Sequence, residues 1–290
     1  KDDFFTFKTD KYGFNNINNK WDQNEINILL GDELVLGSCL KDVNFANLLS
    51  KENNTLNLSN RGAGPLTELT FLREYMPIQN TKTIFWFFNS QNDLADLEIE
   101  KKDAILIKYL ENSFSQNLIE DKFKLKKKIK LRLINDEVEQ NLEVNKYNLF
   151  KFISVARIRY EIRLFFLMQK NHNIDLQKNI DINSYLKAVN YLGNFTKKNN
   201  INLIIIFTPL NIYYSKLNPV FNIKIKRKVK DYLKNQNIEF IDLEERIFTE
   251  NIDKKDMFFS KKPRSTLNQT GHKYIFEIIN NKINQINQSN

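Results

Sequence analysis

The chain has 290 residues, with 44 Lys and Arg against 35 Asp and Glu, a formal net charge of +9 and 41% hydrophobic residues. This apolar content is enough for a buried core and excludes a disordered, highly charged chain. One cysteine excludes an intrachain disulfide, and two histidines outside any ligand-spaced cluster lead us to predict no metal and no cofactor. The longest apolar runs, 84–88 and 203–207, are far shorter than the roughly 18 residues of a membrane-spanning helix. Because the sequence begins at Lys1 rather than Met, it is compatible with a targeting segment before it.

Five short apolar segments, each ending at a turn, predict the strands of one sheet. They cover residues 26–30, 55–58, 83–88, 203–207 and 238–241. Amphipathic helical patterns lie between and after them, over 66–76, 183–198, 223–234 and 275–286. Continuous apolar strands that alternate with such helices are typical of a parallel sheet covered on both faces. We therefore predict a three-layer α/β sandwich.

Turn segments follow three of these strands, at 31–33, 60–64 and 90–93. In parallel sheets the ligand site lies outside the carboxyl ends of the strands, so we expect these segments to meet at one edge. Glycine supports this location: the chain has only 7, about a third of the usual share. Five of the seven lie in the motifs described below.

The stretch from about 94 to 180 differs from the rest, because it is charged, mostly helical in pattern and without a strand that could join the sheet. We interpret residues 1–290 as one domain with a helical insertion there. The insertion holds the densest basic run of the chain. We leave two interpretations of this run open. It is either a solvated helix or a surface that contacts an anionic membrane or an acidic polymer. Its basic residues are Lys122, Lys124, Lys126, Lys127, Lys128, Lys130 and Arg132.

Four short blocks occur in chain order at or after predicted strand ends. They are Gly-Asp-Glu-Leu-Val-Leu-Gly at 31–37, Asn-Leu-Ser-Asn-Arg-Gly at 57–62, Ser-Gln-Asn-Asp at 90–93 and Thr-Leu-Asn-Gln-Thr-Gly-His at 266–272. The ordered set resembles the SGNH/GDSL hydrolases, and the residues at 9–16, 64–69, 73–75 and 92–97 resemble a bacterial subgroup of that family. The resemblance implies a flavodoxin-like SGNH fold over nearly the whole chain apart from the insertion.

The resemblance also implies roles for individual residues. Glu33 stands where the family has its nucleophilic serine, and Thr266 stands where it has the catalytic histidine. Gly62 and Asn92 match the oxyanion donors, one by its backbone amide and the other by its side chain. Pro263 occupies the position of the aspartate that orients the histidine. These positions define the candidate site.

Ester cleavage by such a site needs a hydroxyl nucleophile, a histidine base and oxyanion donors. Glu33 has no hydroxyl, and Thr266 cannot accept a proton near neutral pH. We therefore predict an SGNH-like protein with a degenerate site, a non-catalytic binding or interaction protein derived from an esterase. The alternative is an active esterase or O-acyltransferase that acts on an acylated carbohydrate or lipid through an unconventional nucleophile.

Several residues at the site keep more than one interpretation. For Glu33 three roles are open: a carboxylate nucleophile, a structural group, or a hydrogen-bond acceptor that occupies its own oxyanion hole. In the third role its carboxylate would accept from the Gly62 and Asn92 donors. Arg61 holds an anionic ligand or is an exposed loop residue. Asp32 and Asp93 bind substrate or cap the turns of the site.

The partners and the location come from the resemblance and from charge. We expect an acylated glycan, a lipid or a partner protein as ligand, and the family suggests the cell envelope or periplasm. A nucleic acid is the least supported partner, because no groove-reading motif accompanies the positive charge.

Overall fold

The computed structural model describes residues 9–37, 40, 43–90, 93–111, 113–121, 123, 127, 182–208, 219–250, 252–258 and 267–289. The chain forms two compact units, one made of Lys1–Ser115 with Ile180–Asn290 and the other of Gln116–Asn179. The elements below all belong to the first unit. Within the described ranges, no helix has the length and apolar character needed to cross a membrane.

The first unit contains a five-stranded, fully parallel sheet in the order β2-β1-β3-β4-β5. The register pairs Leu30 of β1 with Trp86 of β3, and Phe88 of β3 with Phe207 of β4. The carboxyl ends of the central strands are therefore level, and the loops after them share one edge. The strands are β1 (Ile26–Leu30), β2 (Thr55–Asn57), β3 (Thr81–Phe88), β4 (Asn202–Phe207) and β5 (Glu239–Asp242).

Helices cover both faces of this sheet. One face packs against α1, α2, α8 and α9, and the other against α3, α4, α6 and α7. This arrangement confirms the predicted three-layer α/β sandwich with a parallel sheet. The helices are α1 (Glu33–Leu36), α2 (Phe45–Glu52), α3 (Pro65–Tyr75), α4 (Asp93–Glu100), α5 (Ala104–Lys108), α6 (Ile182–Lys198), α7 (Pro219–Asn235), α8 (Leu243–Thr249) and α9 (Gln269–Gln288). Short 3-10 helices cover Asn18–Asp22, Ile78–Asn80 and Lys254–Met257.

The start of the predicted insertion belongs to the first unit. Helix α4 buries Leu94 and Leu97 in the core beside the sheet, and α5 follows it directly. The second unit begins at Gln116. Most of its residues, including the rest of the predicted helical insertion, lie outside the described ranges.

The segment before β1 is tied to the end of β2 by side-chain hydrogen bonds. The buried Asp10 carboxylate accepts from the Trp21 indole at 2.9 Å, from the Asn16 amide at 3.0 Å and from the Phe14 backbone N–H at 3.0 Å. Asn16 in turn pairs with both backbone groups of Asn57, at 2.8 and 3.0 Å. This network fixes the position at which β2 enters the candidate site.

Candidate functional site

The first wall of the site is the tight turn from β1 into α1. At Gly31 an added Cβ would lie 2.5 Å from a Val35 methyl, so only glycine fits this turn. The Asp32 carboxylate accepts from the Leu34 backbone N–H at 2.9 Å and caps the helix, as one of our two interpretations of this residue predicts. Glu33 is consequently the first residue of α1 and projects from the sheet edge.

Glu33 forms an ion pair with Arg61, the residue before the second-block glycine. The Arg61 Nε lies 2.8 Å from the Glu33 carboxylate, and the two side chains are 64% and 32% exposed. The two terminal nitrogens of Arg61 have no partner among the described residues. The pair joins the first two blocks and leaves part of the guanidinium available to a ligand.

The second block, residues 57–62, lies beside this pair, and Asn57 and Gly62 determine its conformation. Asn57 donates to the Val35 carbonyl at 3.0 Å and accepts from the Ser59 backbone and hydroxyl, so its side chain connects β2 to α1. Gly62 has a φ of 68°, in the left-handed region that favours glycine, and a Cβ there would meet nothing within 4 Å. No described residue accepts a hydrogen bond from the Gly62 amide. Among the described residues the Gly62 amide is therefore a donor without an acceptor, next in sequence to Arg61.

This geometry bears on the hypothesis that Glu33 fills its own oxyanion hole. The Arg61 side chain is one partner of Glu33, and among the described contacts the Gly62 amide does not donate to the Glu33 carboxylate. The second donor, Asn92, lies outside the described residues, so that half of the hypothesis stays a prediction.

The N-terminus of α3 closes the site on the side of Gly64. Glu100, from the last turn of α4, accepts from the backbone N–H groups of Gly64 at 2.9 Å, Leu66 at 2.9 Å and Thr67 at 3.1 Å. A carboxylate in this place satisfies donors that a helix leaves unpaired and complements the helix dipole. The contact joins α3 to α4 and was not foreseen from the sequence.

Two fully buried carboxyl groups lie beneath this edge. Glu68 accepts from the Trp86 indole at 2.6 Å, and Asp93 accepts from the Asn89 backbone N–H at 2.7 Å. The second oxygen of each carboxyl, and the Tyr185 hydroxyl, have no partner among the described residues. Burial raises both pKa values well above the ordinary carboxyl range, and the charges of Asp32 and Asp96 act on both carboxyls in the same direction. Both groups thus have a strong tendency to be protonated.

Asp96, half-buried on α4, is a third acid at this edge. Burial, with the charges of Glu100, Asp32 and Glu33, raises its pKa to about 6. A carboxyl of this pKa exchanges protons near neutral pH. Its sequence position, inside the segment 92–97, gave no indication of this property.

The remaining predicted site residues fall into two groups. Among the predicted substrate-binding residues, Arg61 has an exposed side chain, whereas Asp32 and Asp93 are buried and bonded to the backbone of their own turns. Thr266 lies outside the described ranges, as does the basic run at 122–132 apart from residues 123 and 127. Lys127 is exposed.

The described histidine does not supply a base to this edge. His272, on α9, is buried against the Phe45 ring, and its Nδ1 accepts from the Phe45 backbone N–H at 3.4 Å. Burial lowers its pKa to about 4, so the ring is neutral at physiological pH. In the parts of the chain that the structure describes, no group of three or more histidine, cysteine or acidic side chains is arranged to hold a metal ion.

No protein-family model and no curated protein matches this chain. Solved structures of low sequence identity do resemble its fold. An acetyl xylan esterase matches at 10% identity and a TM-score of 0.47, over 89% of this chain and 99% of its own. A lipolytic protein of the G-D-S-L family from Desulfitobacterium hafniense matches at 10% and 0.49, over 88% and 97%. A lipase/acylhydrolase from Enterococcus faecalis matches at 12% and 0.48, over 89% and 95%. These similarities concern the overall fold and not activity.

Proposed function

We propose that this chain is a non-hydrolysing binding protein built on an SGNH-like fold. The observation that carries the proposal is the ion pair of Glu33 with Arg61. At the position after Gly31-Asp32, where the resemblance places a nucleophilic hydroxyl, the chain has a carboxylate that is engaged by a cation. Such a pair offers neither an attacking hydroxyl nor a base to activate one.

The same edge can still bind an oxygen-bearing group. No described residue accepts from the Gly62 amide, and the exposed Arg61 guanidinium has donors beyond the one that it gives to Glu33. Together they suit a carbonyl or anionic oxygen, and planar guanidinium donors favour two-point contacts. We infer that the ligand is an acylated glycan or lipid that presents its acyl carbonyl to this edge, with a partner protein as the other candidate.

One observation favours a second candidate function, an active esterase or O-acyltransferase with an unconventional nucleophile. Asp96, with its pKa of about 6 and its charge coupled to that of Glu33, could exchange a proton there. In this mechanism the partly exposed Glu33 carboxylate would attack the acyl carbon to form a mixed anhydride, and the Asp96 carboxyl would protonate the departing alcohol oxygen. A water that gives its proton to the Asp96 carboxylate would then cleave the anhydride, which releases the acid and restores Glu33. A carboxylate nucleophile needs such a partner to be effective.

Turnover of short-chain aryl esters separates the two functions. We expect no hydrolysis above the uncatalysed rate from the purified protein, and no change in Glu33→Gln or Asp96→Asn. Robust hydrolysis that Glu33→Gln abolishes would establish the second function and overturn the first. Lys51→Gln, an exposed change on α2, serves as the control for preparation-dependent background.

We also propose that the basic run at 122–132 contacts an anionic membrane surface, which fits the cell-envelope setting that the resemblance suggests. Attraction of this kind is screened by salt. Binding to vesicles that contain anionic lipid should be present at low ionic strength and fall steeply as salt rises. Absent or salt-independent binding would leave a solvated helix as the interpretation.

A further inference from the structure

A groove between α3 and α6 lies at the edge of the sheet opposite the candidate site. Helix α3 ends just before β3 begins, and α6 ends just before β4 begins, so the C-terminal ends of both helices lie beside the amino ends of these strands. The α3–α6 groove encloses about 510 Å³, and its walls include Leu72, Met76, Ile78, Leu192, Phe195 and Lys198. This volume is in the range of small-molecule sites.

The groove has an apolar interior. Leu72 and Leu192 are fully buried at its base, and the partly buried rings of Tyr191 and Phe195 lie nearly parallel, with centroids 6.5 Å apart. At the rim, Ile78 is 45% exposed. A large aliphatic side chain open to water at the mouth of an apolar cavity favours a ligand that covers it.

The two cations in the wall differ in availability. The Arg73 guanidinium lies 4.6 Å from the Tyr191 ring centre and donates to the carbonyls of Tyr109, Glu111 and Phe114, at 2.5, 2.7 and 2.5 Å. Both terminal nitrogens of Arg73 therefore donate to backbone carbonyls of the protein. Lys198, at the end of α6, is exposed and has no partner among the described residues. The groove thus combines apolar walls with one available positive charge.

We propose that the α3–α6 groove binds an amphipathic carboxylate, whose hydrocarbon chain fills the groove and whose carboxylate pairs with Lys198. The apolar walls provide the affinity, and the ammonium selects the acid over a neutral chain of the same length. The site is independent of the Glu33 edge, because the two lie at opposite ends of the strands. Its test therefore does not depend on whether the proposed function is correct.

Dodecanoate, kept below its micelle-forming concentration, is the probe, and calorimetry on the full chain is the measurement. We expect saturable binding that Lys198→Glu weakens about tenfold, since the change replaces an attraction by a repulsion at a partly exposed pair. Lys187→Glu makes the same charge change at an exposed position of α6 outside the groove and should alter binding less than about twofold. Dodecanol should bind with no dependence on either lysine.

Ile78→Asp tests the apolar half of the proposal at a position that is 45% exposed. It should weaken both dodecanoate and dodecanol, because it places a charge at the mouth of the groove. Three results would overturn the proposal: no saturable binding of dodecanoate, equal weakening by Lys198→Glu and Lys187→Glu, or binding that Ile78→Asp leaves unchanged.

Discussion

Replacing Glu68 by glutamine should stabilise the protein. Glu68 is fully buried, and among the described residues only one of its carboxyl oxygens has a partner, the Trp86 indole at 2.6 Å. Glutamine keeps an acceptor for the indole and is neutral at every pH, whereas the unfolded carboxyl is ionised at pH 8 and must take up a proton or bury a charge on folding. Each unit by which the folded-state pKa is raised costs about 1.4 kcal/mol, so we expect a gain of at least about this size in the free energy of unfolding at pH 8.

The gain should depend on pH in a defined direction. Because the folded-state pKa of Glu68 is raised, the wild type loses stability as pH rises from the ordinary carboxyl range through that raised value. Glutamine does not titrate, so the difference between variant and wild type should be largest at pH 8 and shrink towards pH 4. Urea unfolding followed by tryptophan fluorescence at several pH values measures it.

Glu74→Gln is the matched control, on the same helix. This buried carboxylate accepts from the Tyr109 hydroxyl at 2.6 Å and the Ser115 hydroxyl at 2.9 Å. Weakening these charge-assisted bonds should cost about 1 kcal/mol. If Glu68→Gln destabilised the protein at pH 8 as much as Glu74→Gln, the argument from the raised pKa of the buried Glu68 carboxyl would be wrong.

Three further predictions concern stability. Gly62→Ala should cost about 1–2 kcal/mol in urea unfolding, because alanine is strained at a φ of 68° although space is available; no loss would mean that the loop relaxes. His272 should reduce stability by up to about 3 kcal/mol as pH falls from 6.5 through its folded-state pKa of about 4, since the unfolded chain takes the proton first. The variant His272→Asn should lack this part of the pH dependence. Arg61→Ala should change stability by less than about 1 kcal/mol, because its ion pair is exposed, and thermal melts would show a larger effect if the pair were structural.

The sequence predicted the sheet because its strands are apolar runs that end at turns. All five predicted strands are present; the bounds of β1 agree, and those of the other four differ by one or two residues. Strand β3, for example, begins at Thr81 rather than 83, since Thr81 pairs with Ile26 across a shift in register. A polar residue that joins a strand through backbone pairing leaves no trace in an apolar pattern.

The location of the site was predictable, and its electrostatics were not. The contact between Glu33 and Arg61 confirms that the first two turn segments meet at one edge. Arg61 and Glu33 are 28 residues apart in the sequence. Their contact depends on the orientation of both side chains, which the spacing of the motifs does not reveal. Glu68 and Glu100 are acids on amphipathic helices, where exposure is the usual expectation, and only the packing of α3 against α4 shows that they are buried.

The most direct test of the non-hydrolytic site is the turnover of an aryl acetate by the wild type, Glu33→Ser and the double variant Glu33→Ser/Thr266→His, measured side by side. We predict no turnover by the wild type and almost none by Glu33→Ser, because a serine without a base is a weak nucleophile. Any gain should require the double variant, in which a histidine is restored. Efficient hydrolysis by the wild type, or by Glu33→Ser alone, would show that the chain already holds a working base and would contradict the account.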